Sequence, residues 1–230
     1  MAVRAPEFRN RCPEEIITKN VMFDSAGYLY RGLSWLDYAK RKTSVCALEY
    51  AALDVRQAIE QLLFEELILS VGGDLDRRYY EKCKGNSTKL HKIVHRLSPE
   101  YERLVQFAQA VMSVEPNAPA LIKWEHGTLM KQWGIVSNYL HWRGKPKETV
   151  ESSEWFGDRV SGLYEIASNL WDNMTRGYSG VMMPDGMQPE IRNAWEDYKN
   201  GIIDLEGVKV RAMLALSMLL KRGIPFSHWS

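Results

Sequence analysis

No apolar run in this 230-residue chain is long enough to cross a bilayer: the uncharged stretch from Ala212 to Leu220 is about half of what a span requires. The first residues, MAVRAPEFRNRCPEE, are charged and hold no apolar core of a secretion signal. No membrane partner is therefore expected, and the expected location is cytoplasmic. Cysteine is scarce. Cys12, Cys46 and Cys83 are odd in number, far apart and in no CxxC pair, which argues against a disulfide framework and fits a reducing compartment. Charge of one sign is not in surplus, since the net charge is +1, so wholesale polyanion binding is not expected, although a local patch could still bind one. Neither a GxxxxGK[ST] loop nor a GxGxxG loop occurs, so no cofactor is expected. Repeats and low-complexity tracts are absent too.

What is there is an ordinary globular balance, 45% apolar and 26% charged, in a chain ample to bury a core. The expected organisation is an N-terminal arm over residues 1–33 followed by one helical domain over 34–230. Within the arm, Val21, Phe23, the turn-forming Asp24 to Gly27, Tyr28 and Tyr30 alternate as a short β-hairpin would.

From Ser34 to Gly72 the pattern is helical, with Val45, Leu48, Ala52, Val55, Ile59 and Leu62 stepping along one face. Unbroken, such a helix would reach about 55 Å, longer than a compact domain needs, so either a break near Lys40 to Thr43 or a protrusion used for dimer contact is expected. Ser98 and Pro99 read as the start of another helix, with Leu104, Phe107, Ala108 and Val111 inward. The series Ile122, His126, Leu129, Trp133, Val136 and Leu140 marks a central helix. Gly134 and Ser137 thin one flank of it, which predicts the close approach of a neighbouring helix. After it come a helix with Phe156, Val160, Leu163, Ala167, Leu170 and Met174 inward, a long Gly- and Pro-containing loop, and helices over 190–200 and about 205–222. The expected fold is an all-α bundle of six or seven helices.

One place gathers groups able to move a proton and hold an anion. His141 can act as general base near neutral pH, Asn138 stands one turn earlier on the same side, and Arg143, Lys145 and Lys147 follow in a basic loop. The plainer reading is a histidine at a helix C-terminus, favoured by the carbonyl dipole it meets there. A second basic region, residues 74–96, sets seven cations against three acids. Arg77, Arg78, Lys82, Lys84, Lys89 and Lys92 are its candidates to track a phosphate backbone, against the plainer reading of a solvated surface.

Other constellations are weaker. His91 and His95 have metal-ligand spacing with Cys83 as a third candidate, yet no HExxH glutamate or second ligand pair accompanies them, so no metal is expected. His126, within an apolar series and beside Glu125, reads as a core histidine. Arg56 and Glu60 have the spacing of a surface ion pair, or of a pair lining the groove that faces His141.

The helix containing CALEYAALDVRQAIEQLLFE, the later SNYLHW and the all-helical layout resemble HEPN domains, the helical nucleotide-binding and ribonuclease superfamily common in bacterial toxin and defence systems, over about residues 34–175. The resemblance implies RNA as partner and a homodimer, because in that family an Arg followed within two helical turns by a His cuts RNA without metal, usually in a site shared by two protomers. Asn138 and His141 match the family's polar residue and histidine. Gly134, Ile135 and Val136, where the Arg would stand, hold none, and Arg143 or Arg56 would have to supply it in space. The expected function is RNA binding or metal-independent RNA cleavage, with His141, Asn138 and Arg143 as catalytic residues. The alternative is a non-catalytic helical module that holds a partner protein.

Overall fold

The computed structural model describes residues 6–18, 24–70, 87–116, 121–140, 153–176, 178–179 and 186–221. They form eight helices: α1 (Pro13–Thr18), α2 (Ser25–Lys42), α3 (Val45–Ser70), α4 (Ser87–Met112), α5 (His126–Leu140), α6 (Ser153–Arg176), α7 (Pro189–Lys199) and α8 (Leu205–Lys221). Two residue pairs add a parallel bridge between β1 (Leu121–Ile122) and β2 (Tyr178–Ser179), with Leu121 opposite Tyr178 and Ile122 opposite Ser179. The fold is all-α. No helix among the described residues is long and apolar enough to cross a membrane.

The chain divides into two compact units, each made of two separate stretches: residues 1–65 with 125–176, and residues 66–124 with 177–230. In the first unit α2 packs on α6, α1 on α2, and α5 on α6. Asp24 caps α2 by accepting from the Gly27 N–H at 2.6 Å, and Leu29, Leu33, Leu36 and Ala39 are buried along one side. The expected hairpin is thereby corrected: Tyr28 and Tyr30 belong to α2, because what reads as a turn at Asp24 is a helix cap and the leucine period outweighs the tyrosine alternation. Val21 and Phe23 lie outside the described residues.

The break expected near Lys40 to Thr43 is present. Thr43 takes the left-handed conformation (φ 48°) and its N–H bonds to the Ala39 carbonyl, while Lys40, Arg41 and Lys42 fill the last turn where the dipole favours cations. Ser44 then accepts from the Ala47 N–H at 3.3 Å and opens α3. Nor is the N-terminal arm loose along residues 6–18. Arg11 is buried, donates to Ser34 Oγ at 2.8 Å and to the Glu15 carbonyl at 2.6 Å, and lies 4.6 Å over the Tyr30 ring. Asn10 N–H adds a bond to Asp37 at 2.9 Å.

In the second unit one cluster joins α4, α7 and α8 through Tyr101, Phe107, Ile191, Trp195, Val208 and Ala212. Phe107 and Trp195 meet edge to face with centroids 5.2 Å apart. Leu104, Phe107, Ala108 and Val111 are buried as their spacing predicts. The predicted start at Ser98 is not observed. α4 runs through Pro99, which lacks the N–H of one helical hydrogen bond and lies on an exposed side of the helix.

Candidate functional site

The described part of the candidate site is the C-terminal end of α5. Leu129 and Val136 are buried and seat the helix, Trp133 is half-buried, and Ser137 donates back to the Trp133 carbonyl at 2.8 Å. These contacts leave Asn138 exposed in the last turn. His141, Arg143, Lys145 and Lys147 lie outside the described residues, as do Arg77, Arg78, Lys82 and Lys84. Lys89 is in α4, where its side chain falls outside the description, and Lys92 is exposed on the same helix.

Among the described residues no heavy atom beyond its own helix and chain neighbours lies within 4 Å of the point where a Cβ on Gly134 would stand, so the close approach expected of the flank with Gly134 and Ser137 is not made at Gly134, whereas Ser137 is buried. A close approach occurs one residue past Asn138: Tyr139 Oη would be 2.9 Å from a Cβ on Gly162 of α6. Glycine at that position lets the phenol reach the α6 backbone.

Arg159 of α6 completes the arrangement. Its guanidinium lies 4.9 Å over the Tyr139 ring and 5.6 Å over Trp155, one helical turn before it. Burial raises the Tyr139 phenol above its ordinary pKa, with Arg159 pulling in the opposite direction. Sequence reading missed this cation, although Trp155 and Arg159 have the (i, i+4) spacing at which a helix stacks an arginine on an aromatic ring.

Arg56 is committed elsewhere. Its Nε donates to Glu60 at 3.1 Å and its guanidinium lies 4.9 Å over the Trp133 ring, while Trp133 Nε1 donates to the same Glu60 oxygen at 2.8 Å. The pair is therefore the expected (i, i+4) contact with a third member. Trp133 stands about two turns before the end of α5, so Arg56 is held away from the terminal turn.

A second charged pair lies deeper in the first unit. Arg31 grips Asp54 with two hydrogen bonds, Nε to Oδ2 at 2.7 Å, and Asp54 is only 4% exposed. Burial pushes the Asp54 carboxyl up against the opposing pull of Arg31. Both groups face each other, which makes this a bolt between α2 and α3. In the second unit an open depression of about 730 Å³ is lined by Arg103, Tyr198, Lys199, Ile202 and Asp204, none of them an expected site residue. Among the described residues no group of three or more His, Cys, Asp or Glu side chains is placed to hold a metal ion. Comparison with protein-family models, with curated proteins and with solved structures returns no match.

Proposed function

We propose that this chain is a HEPN-like RNA-binding protein that cuts RNA without a metal ion. In this reading His141 takes the proton of a ribose 2′-hydroxyl, the freed oxygen attacks the adjacent phosphorus, and the bond to the 5′-oxygen breaks as that oxygen takes a proton from water, His141 releasing its own to solvent afterwards. The products are a 2′,3′-cyclic phosphate and a 5′-hydroxyl. Asn138 orients the phosphate, and Arg159 joins Arg143 and Lys145 in balancing its charge.

The observation that carries the reading is the exposed amide of Asn138 in the same terminal turn as Tyr139, over which Arg159 lies, on the helix whose next residue in the chain is His141. The family pattern lacks its arginine along α5, and a guanidinium from α6 reaches the turn instead. An arginine stacked on two rings is held in place before a phosphate arrives.

The test is incubation of the full chain with end-labelled structured RNAs in EDTA, beside His141→Ala and Arg159→Met prepared identically. Cleavage by the wild type, none by His141→Ala and a loss of about a hundredfold in Arg159→Met would support the reading. Absence of cleavage by every protein sinks the nuclease and leaves the partner-holding module, for which a pull-down is the next step.

A further inference from the structure

Helix α8 is apolar on two opposite sides. Val208, Ala212 and Ala215 are buried in the core of the second unit, yet on the outer side Val210 is 52%, Met213 51%, Leu214 59% and Met218 43% exposed. A helix apolar all round belongs in an interior, and such a contiguous outer patch marks an interaction surface. Along that side the order is Glu206, Val210, Met213, Leu214, Ser217 and Lys221, all within about 100° of arc at 3.6 residues per turn. An acid stands at one end, a base at the other, and both are equally far in sequence from the midpoint between Met213 and Leu214.

We infer that this stripe pairs with the same stripe of a second copy of the chain, antiparallel and about a two-fold axis at that midpoint. The occupant follows from the charge order. Antiparallel pairing sets Glu206 of each copy against Lys221 of the other, Val210 against Ser217, and Met213 against Leu214, so the surface is complementary to itself. Parallel pairing would set Glu206 against Glu206 and is disfavoured. A depression of about 440 Å³ lined by Met213, Leu216, Ser217 and Lys221 lies where the second copy's Leu214 arrives. Glu206 also meets Lys209 of its own helix at 2.6 Å, but its side chain stays 76% exposed and can take the second cation. One helix from each copy makes a small interface, so the dimer forms with rising concentration instead of being permanent. The inference does not depend on the RNA reading, because α8 lies outside the HEPN-like residues.

Sedimentation velocity of the full chain across a range of concentrations tests it. The wild type is expected to dimerise. Glu206→Lys and Lys221→Glu should each weaken the dimer about tenfold, since each turns two exposed ion pairs into repulsions. An equimolar mixture of the two variants should restore it, because the heterodimer regains attraction at both ends. Leu214→Glu, at an exposed position, should abolish association while leaving the circular dichroism unchanged. A wild type that stays monomeric throughout overturns the inference, whether a segment of the same chain or a different protein covers the stripe. So does a mixture that associates no better than either variant alone.

Discussion

Both units bury an apolar core, and the first also ties its helices with polar contacts. In the first, helices are tied by polar bolts: Arg31 to Asp54, Arg11 to Ser34, Trp133 with Arg56 to Glu60, and Ser25, whose N–H donates to Glu65 at 2.9 Å. In the second, an apolar cluster joins α4, α7 and α8, and the ion pairs Lys209 with Glu206, Lys123 with Glu102 and Arg211 with Asp197 lie around it. A buried polar pair has few fitting arrangements, so it adds a defined geometry to what the close-packed apolar core already fixes. The terminal turn with Asn138 and Tyr139 belongs to the bolted unit, which is where a site needing fixed angles is best built.

The comparison breaks first at its two strongest points. Phe107→Ala should cost about 4 kcal/mol by opening a cavity beneath Trp195, and hydrogen exchange should accelerate in α4, α7 and α8. Arg31→Leu should cost about 3 kcal/mol by leaving Asp54 buried without its partner, with protection lost in α2 and α3. Adding Asp54→Leu to it should recover most of that loss in a urea melt, an outcome that no cavity-type change would give. If the double variant is no more stable than Arg31→Leu alone, the bolt is not what holds α2 to α3.

Two glycines sharpen the contrast at smaller scale. A Cβ on Gly32 would stand 2.9 Å from Val55 Cγ2 and 3.3 Å from the Val55 nitrogen, so Gly32→Ala should destabilise by about 2 kcal/mol. Gly134→Ala, whose Cβ meets nothing among the described residues, should instead stabilise by about 0.5 kcal/mol through better helix propensity. Thermal melts of the two variants moving in the same direction would contradict the packing described. In the second unit Asp204→Ala should cost about 1 kcal/mol, because Asp204 accepts from the Gly207 N–H at 2.9 Å and caps α8.

Much of this was legible in the sequence. The inward series of α3, α4 and α6 follow from apolar spacing alone, and the helix break at Thr43 follows from length. What misled was local chemistry with two uses. Asp24 with Ser25 serves a turn or a cap, and Ser98 with Pro99 serves a helix start or, as here, an interior that tolerates proline on its exposed side. Arg159 was legible only in half: its spacing to Trp155 is in the sequence, but only packing brings Tyr139 of another helix under it. The outer stripe of α8 hid in plain view, because a helix with apolar residues on every side reads as core until the buried side is known.

The interleaving of the two units also sets a clock. At about 5 to 20 residues per second on a ribosome, α2 and α3 are finished well before α6 exists, and the wait for residues 125–176 is on the order of ten seconds. During that interval the leucine face of α2 has no α6 to cover it. Newborn chains of this protein are thus expected to present that face to holding chaperones, and slowing translation should lengthen their occupancy.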